Sequence, residues 1–279
     1  MTVGRRIRAS VAGAASLAAE GCLAAAFVAA AAILQGCGGS GRAPAPAPAP
    51  AVETAAPSAP TPAIRLRVAS LDVSGFGGRI ERKHVEELSR LIGSKKIEVL
   101  ALQGVTRYPS VKTRTDLVGE LASAAGMRQA FGETINLSGR QSGNALLSSY
   151  PIASNDALSY EGISGSNFEG ALRVVVDAGA RPIVVVSTRL PEPLTAGDER
   201  ICAGVISRLE SERGEDPLVV LGNLPPAPDG WKEFSPAGKE AGSLWYTPGP
   251  VSAAGGSTGR CALGTLLIAD MDIFPQGKR

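Results

Sequence analysis

The chain has 279 residues, of which 44% are apolar, enough for one sizeable domain with a real core plus additional segments. Only 4% are aromatic, so Ala and Val carry much of that apolar content. Arg5, Arg6, Arg8 and Glu20 are the charged residues of the first 36; the remainder holds 25 basic and 25 acidic groups, which is no electrostatic footprint for nucleic acid, and none is expected as a partner.

The N-terminus reads as an export signal. Arg5, Arg6 and Arg8 form a positive region, and an Ala-rich apolar stretch runs from Leu23 to Leu34. That stretch is shorter than the roughly 20 residues that span a bilayer. It ends in Leu34-Gln35-Gly36-Cys37, which resembles the bacterial lipobox, in which the cysteine is lipidated and becomes the new N-terminus. Residues 1–36 are therefore expected to be a lipoprotein signal peptide. Lipidated Cys37 then gives a membrane partner and a place in the bacterial cell envelope. Residues 37–63 form an Ala/Pro-rich linker, with an Ala-Pro repeat from Ala43 to Pro50. Such chain cannot pack a core and extends about 3.1 Å per residue, so it reads as a spacer.

A folded domain is expected over 64–279. Ile64 to Val73 alternates like a strand, and Glu81 to Ile92 places Val85, Leu88, Leu91 and Ile92 at helical spacing. His84, the chain's one histidine, falls at that helix start and reads as a surface residue. Ile97 to Val105 is a buried strand, and Asp116 to Ala125 a helix stopped by Gly126. Asn144 to Ser148, Ala171 to Val176, Ile183 to Thr188, Leu218 to Leu221 and Leu263 to Ile268 read as strands, and Asp198 to Glu212 as a helix. Asp270 and Asp272 read as a solvent-exposed tail after the last strand. Several strands run consecutively without helices, which predicts an α+β fold: a two-sheet β-sandwich flanked by helices. Cys202 and Cys261 are either two small buried residues or a disulfide, which an exported domain permits.

Five segments in order resemble the endonuclease/exonuclease/phosphatase family, whose DNase I-like fold is a four-layer α/β sandwich. Val68-Ala69-Ser70-Leu71-Asp72 resembles its first strand, and Val99 to Val105 the strand that normally reads apolar-Leu-Gln-Glu-Val. Ser142 to Ile152 matches nearly the whole family pattern. Val186-Ser187-Thr188-Arg189-Leu190 stands where Asn-Thr-His-Leu would be, and Val219 to Leu224 where a strand would end Gly-Asp-Phe-Asn.

The resemblance implies attack of water on a phosphoester, with Mg²⁺ held by carboxylate oxygen and a histidine–aspartate pair activating the water. The residues that do this are missing. The metal-binding glutamate position is Gly104, and strand alternation places Gln103 on the opposite face. The first histidine position is Arg189, permanently charged and no base. Asn223 and Pro225 replace the Asp-x-Asn pair, Gly264 takes an aspartate position near the end, and the final Ser-Asp-His motif has no counterpart. Asp72 and Asn144 remain as polar pocket positions, Asp72 also readable as a loop cap. Arg189 either binds an anionic ligand in the old phosphate pocket or covers the vacated site.

The expectation is a membrane-tethered lipoprotein with no catalytic residue, no metal site and no cofactor, a pseudoenzyme that binds or scaffolds. Two alternatives stay open. One is a phosphodiesterase with a rearranged Mg²⁺ site; the other is a structural envelope lipoprotein.

Overall fold

A computed structural model describes residues 64–76, 81–108, 116–160, 170–179, 181–190, 196–236 and 242–275. The expected signal peptide, Cys37 and the linker lie outside the described residues. Twelve described strands form two six-stranded sheets. The first has the order β11 (Val251–Cys261), β12 (Gly264–Ile273), β1 (Ile64–Asp72), β2 (Val99–Arg107), β4 (Arg140–Ser148), β3 (Arg128–Leu137). The second has the order β5 (Ile152–Ser159), β6 (Gly170–Asp177), β7 (Pro182–Arg189), β8 (Leu218–Asn223), β10 (Ser243–Tyr246), β9 (Lys232–Phe234). β1 and β2 are parallel, as are β7 and β8; the other pairs are antiparallel.

Alternation along the strands builds three apolar layers. Leu66 and Val68 of β1, Val99 and Ala101 of β2, and Leu146 of β4 meet Val174, Val185 and Val219 between the sheets. The opposite face of the first sheet packs Leu71, Leu100 and Leu147 against Val85, Leu88 and Ile92 of α1 (Arg82–Lys95) and against Leu117 and Leu121 of α2 (Leu117–Ala125). Val184, Val186 and Val220 pack outward against Cys202, Ile206 and Leu209 of α3 (Ala196–Arg213). The result is the expected α/β/β/α sandwich.

Helix ends follow local chemistry. The Asp116 carboxylate accepts the Gly119 N–H (3.3 Å), and α2 stops where Gly126 turns left-handed (φ 65°). His84 is half-buried rather than a bare surface group: its Nδ1 accepts the Glu81 N–H (3.1 Å) at the start of α1.

One expectation about the C-terminal region is corrected. Asp270 and Asp272 belong to β12, which continues to Ile273, and they are not a tail. Paired alongside β1, they meet Arg67 (2.6 Å) and Arg65 (2.7 Å) through two hydrogen bonds each. Cys261 ends β11. Cys202 is buried and Cys261 half-buried, and no disulfide joins the two.

Candidate functional site

The parallel pairs β1–β2 and β7–β8 end at the same rim of the sandwich. On β1, Leu66, Val68, Ser70 and Asp72 share the inward face; on β7, Ile183, Val185, Ser187 and Arg189 do, and on β8, Val219, Leu221 and Asn223. The last inward residues, Asp72, Arg189 and Asn223, therefore crown the inter-sheet core. Arg189 and Asn223 are register partners across the β7–β8 ladder.

Asp72 is fully engaged. Its Oδ1 accepts the Ser74 N–H (2.8 Å) and its Oδ2 accepts Arg189 Nε (3.1 Å). The side chains are 35% and 22% exposed, so the pair bridges the two sheets at the solvent boundary. Asp72 thus caps the turn that follows β1 and pairs with Arg189 across the sheets.

Beneath the pair lies a satisfied polar network. Ser70 Oγ donates to Gln103 Oε1 (3.1 Å), and Gln103 Nε2 donates to Ser187 Oγ (3.1 Å) and the Leu221 carbonyl (3.4 Å). Gln103 thus points between the sheets, under the site. The expectation that it faces away is corrected: Gln103 continues the inward parity of Val99 and Ala101, and the β-bulge between Leu102 and Val105 changes the parity only after it, turning Val105 to the helix side.

Gly104 occupies that bulge with φ 66°. A β-carbon there would stand 2.7 Å from Ser74 Cα and 3.0 Å from Ser74 N. Ser74 opens a short 3₁₀ turn (Ser74–Phe76) held by its bond to Asp72 and by Val73 N–H donating to the Gln103 carbonyl (2.9 Å). The chain's own backbone fills the place where a side chain from position 104 would begin.

Asn144 is fully buried and bonds backbone: Nδ2 donates to the Gly170 carbonyl (2.7 Å), and Oδ1 accepts the Gly104 N–H (3.4 Å). Gly264 does not join this group. It sits at the head of β12, and a β-carbon there would meet Leu71 Cδ1 (3.5 Å), a side chain of the helix-facing layer, and the Asp72 carbonyl oxygen (3.7 Å), not the Asp72 side chain. Its place as a pocket position is corrected for the same reason of alternation: Leu267, Ala269, Met271 and Ile273 face inward, and Gly264 has the other parity.

The Mg²⁺ implied by the sequence resemblance does not fit these residues. A hard divalent cation takes six or more oxygen ligands, carboxylates foremost. Here Gly104 offers no ligand atom, Asn144 is spent on backbone, and the one carboxylate already faces a guanidinium. Among the described residues, no three His, Cys, Asp or Glu side chains come together to hold a metal.

Beside Asn223, a small cavity of about 190 Å³ opens between the end of β8 and the start of β10. Nothing in the sequence marks it, because Glu233, Ser235 and Ser243 belong to no motif and meet only through the β8–β10–β9 pairing.

No family model matches the sequence, and no curated protein does. Solved structures do match. An endonuclease/exonuclease/phosphatase from Beutenbergia cavernae DSM 12333 superposes with a TM-score of 0.58 at 16% identity, covering 75% of this chain and 72% of that one. TDP2 from C. elegans gives 0.57 at 11%, covering 76% of each chain. The human Nocturnin catalytic domain, bound to a sulfate anion, gives 0.56 at 13%, covering 75% and 93%. The domain therefore has the DNase I-like sandwich of endonuclease/exonuclease/phosphatase proteins. At these identities the likeness concerns fold, and chemistry must be argued from the site.

Proposed function

We propose that this is a lipid-anchored envelope protein whose DNase I-like domain binds or scaffolds and does not hydrolyse phosphoesters. The observation that supports the reading best is the Asp72–Arg189 pair. A guanidinium is a permanent cation. Held 3.1 Å from Asp72, it takes the place a metal would need and repels any cation that approaches. No activated water follows from this arrangement: the first histidine position is that same Arg189, and the nearest inward neighbours, Gln103 and Ser187, are bonded to one another.

The anchoring half of the reading rests on sequence: the basic start, the apolar stretch and Leu34-Gln35-Gly36-Cys37 in the right order. Lipid on one cysteine holds a protein through several acyl chains, at about 0.8 kcal/mol per buried methylene.

The test is turnover by the soluble domain of bis-p-nitrophenyl phosphate, DNA and sphingomyelin with Mg²⁺. The expected rate equals that without protein. Turnover that EDTA abolishes, and that Asp72→Ala lacks, overturns the reading. For the anchor, labelling with palmitate is expected in the parent chain and absent in Cys37→Ala; equal labelling of both contradicts it.

A further inference from the structure

We infer that the cavity beside β8 binds a neutral polyhydroxylated ring of monosaccharide size, free or as the end of a glycan chain. The inference names a ligand class for the binding domain proposed above and rests on that reading.

The cavity has rigid walls. Pro225 and Pro226 have fixed φ and offer no N–H, so they form an apolar side without competing donors. The Pro225 carbonyl accepts Trp245 Nε1 (3.1 Å), and Trp245 stacks edge-on with Trp231, whose Nε1 donates to Glu210 (2.6 Å). The loop after β8 is thus tied to the α3 side of the sandwich. Gly242 lines the opposite wall; a β-carbon there would stand 2.7 Å from the Gly222 carbonyl oxygen, so no side chain at 242 can fill the space.

Polar groups converge on this space. The half-buried Asn223 makes no side-chain hydrogen bond among the described residues, leaving two donors and an acceptor at the cavity. Glu233 is oriented by the Ala227 N–H, which donates to Oε2 (3.3 Å), and its other oxygen has no partner among the described residues. Ser235 adds a hydroxyl, and the Ser243 hydroxyl, which donates to the Leu224 carbonyl (3.3 Å), adds acceptor capacity. An amide, a carboxylate and two hydroxyls around a small apolar wall match adjacent hydroxyl groups on a saturated ring: carboxylate and amide accept and donate to them, and the C–H face lies on the prolines.

Other classes fit less well. Glu233 repels anions, and with a single carboxylate the lining lacks the oxygen charge that a divalent cation requires. The described lining residues include no aromatic ring on which a nucleobase would stack. The volume, about 190 Å³, equals about six waters at roughly 30 Å³ each, comparable to one pyranose.

The chain's two tryptophans bracket the loop, so intrinsic fluorescence reports on it. The soluble domain Pro57–Arg279, a compact unit containing every described strand and helix, is titrated without metal with glucose, N-acetylglucosamine and a chitin tetrasaccharide. The expected result is a saturable change with one of these. Affinity should fall about tenfold in Asn223→Ala and in Glu233→Gln, as for loss of a polar contact to a bound hydroxyl. Arg189→Ala should keep it. Glu233 is exposed, so Glu233→Gln folds even if Asn223→Ala does not. Tighter binding of the tetrasaccharide than of either monosaccharide identifies a glycan end; equal binding identifies the free sugar. Saturation with inorganic phosphate or ethylammonium instead, or with none of these probes, overturns the proposal while leaving the absence of hydrolysis untouched. Phosphoester turnover would overturn only the reading beneath it.

Discussion

Restoring the missing carboxylate does not restore the site. In Gly104→Glu, the new residue must hold φ near 66°, which costs an L-residue about 1–2 kcal/mol. Its β-carbon must also displace Ser74, whose Cα would lie at 2.7 Å. Ser74 cannot retreat freely, since its N–H is bonded to Asp72 and the preceding Val73 N–H to the Gln103 carbonyl. Forcing atoms into such a packed place costs about 1–3 kcal/mol. Together the loss is about 2–5 kcal/mol, and in a domain of this size each kcal/mol lowers Tm by about 2–4 °C. Urea and thermal unfolding should show it. Gly104→Ala should incur most of the same loss, because the β-carbon and not the carboxylate is the obstacle. A Gly104→Glu protein within about 1 kcal/mol of the parent that also gains Mg²⁺ affinity would refute the reasoning.

Three further outcomes follow from the same geometry. A double-mutant cycle on Asp72→Ala and Arg189→Ala should give a coupling of about 0.5–1 kcal/mol, modest because both side chains are partly exposed, and smaller at high salt; zero coupling at low salt contradicts the pairing. The denatured, unreduced domain should take two alkyl groups, on Cys202 and Cys261, and in the native state Cys261 should react slowly because burial raises its thiol pKa; a mass showing no alkylation indicates a bond instead. Burial, together with the Glu98 carboxylate that accepts its hydroxyl (2.7 Å), pushes the Tyr150 phenol up to about 12 from an ordinary 10. A raised pKa gives stability that is complete below pH 10 and lost as pH climbs toward 12, so Tyr150→Phe should flatten alkaline unfolding in that window, and an unchanged profile counts against it.

What the sequence reveals here depends on burial. The strands with continuous or alternating apolar runs, such as Val99 to Leu102 and Ile183 to Val186, are legible because both of their faces are covered. Of the five strands left unread, β3, β5, β9 and β11 are the four sheet edges. An edge strand such as β5, Ile152–Ser159, is exposed along most of its length, and β11 between Val251 and Arg260 is built of Ala, Gly, Ser and Thr. Neither carries a hydrophobic period to detect.

The site divides in the same way. Residue types at Asp72, Asn144, Arg189 and Asn223 could be read from the motifs, and alternation carries the three strand-end residues to one rim. Gly104 could not be placed by alternation, because it sits in a bulge, whereas motif matching put Gly264 in the pocket against alternation, which gives it the opposite parity to the inward residues of β12. The advance of Ser74 onto Gly104 has no sequence signal, since it depends on a turn anchored by Asp72 and by the Gln103 carbonyl.

Calorimetric titration of the soluble domain with Mg²⁺ tests the central claim most directly. With Asp72 held by Arg189 and no ligand atom at Gly104, the parent domain should give no saturable heat into the millimolar range. One-site saturation that disappears in Asp72→Ala would contradict it.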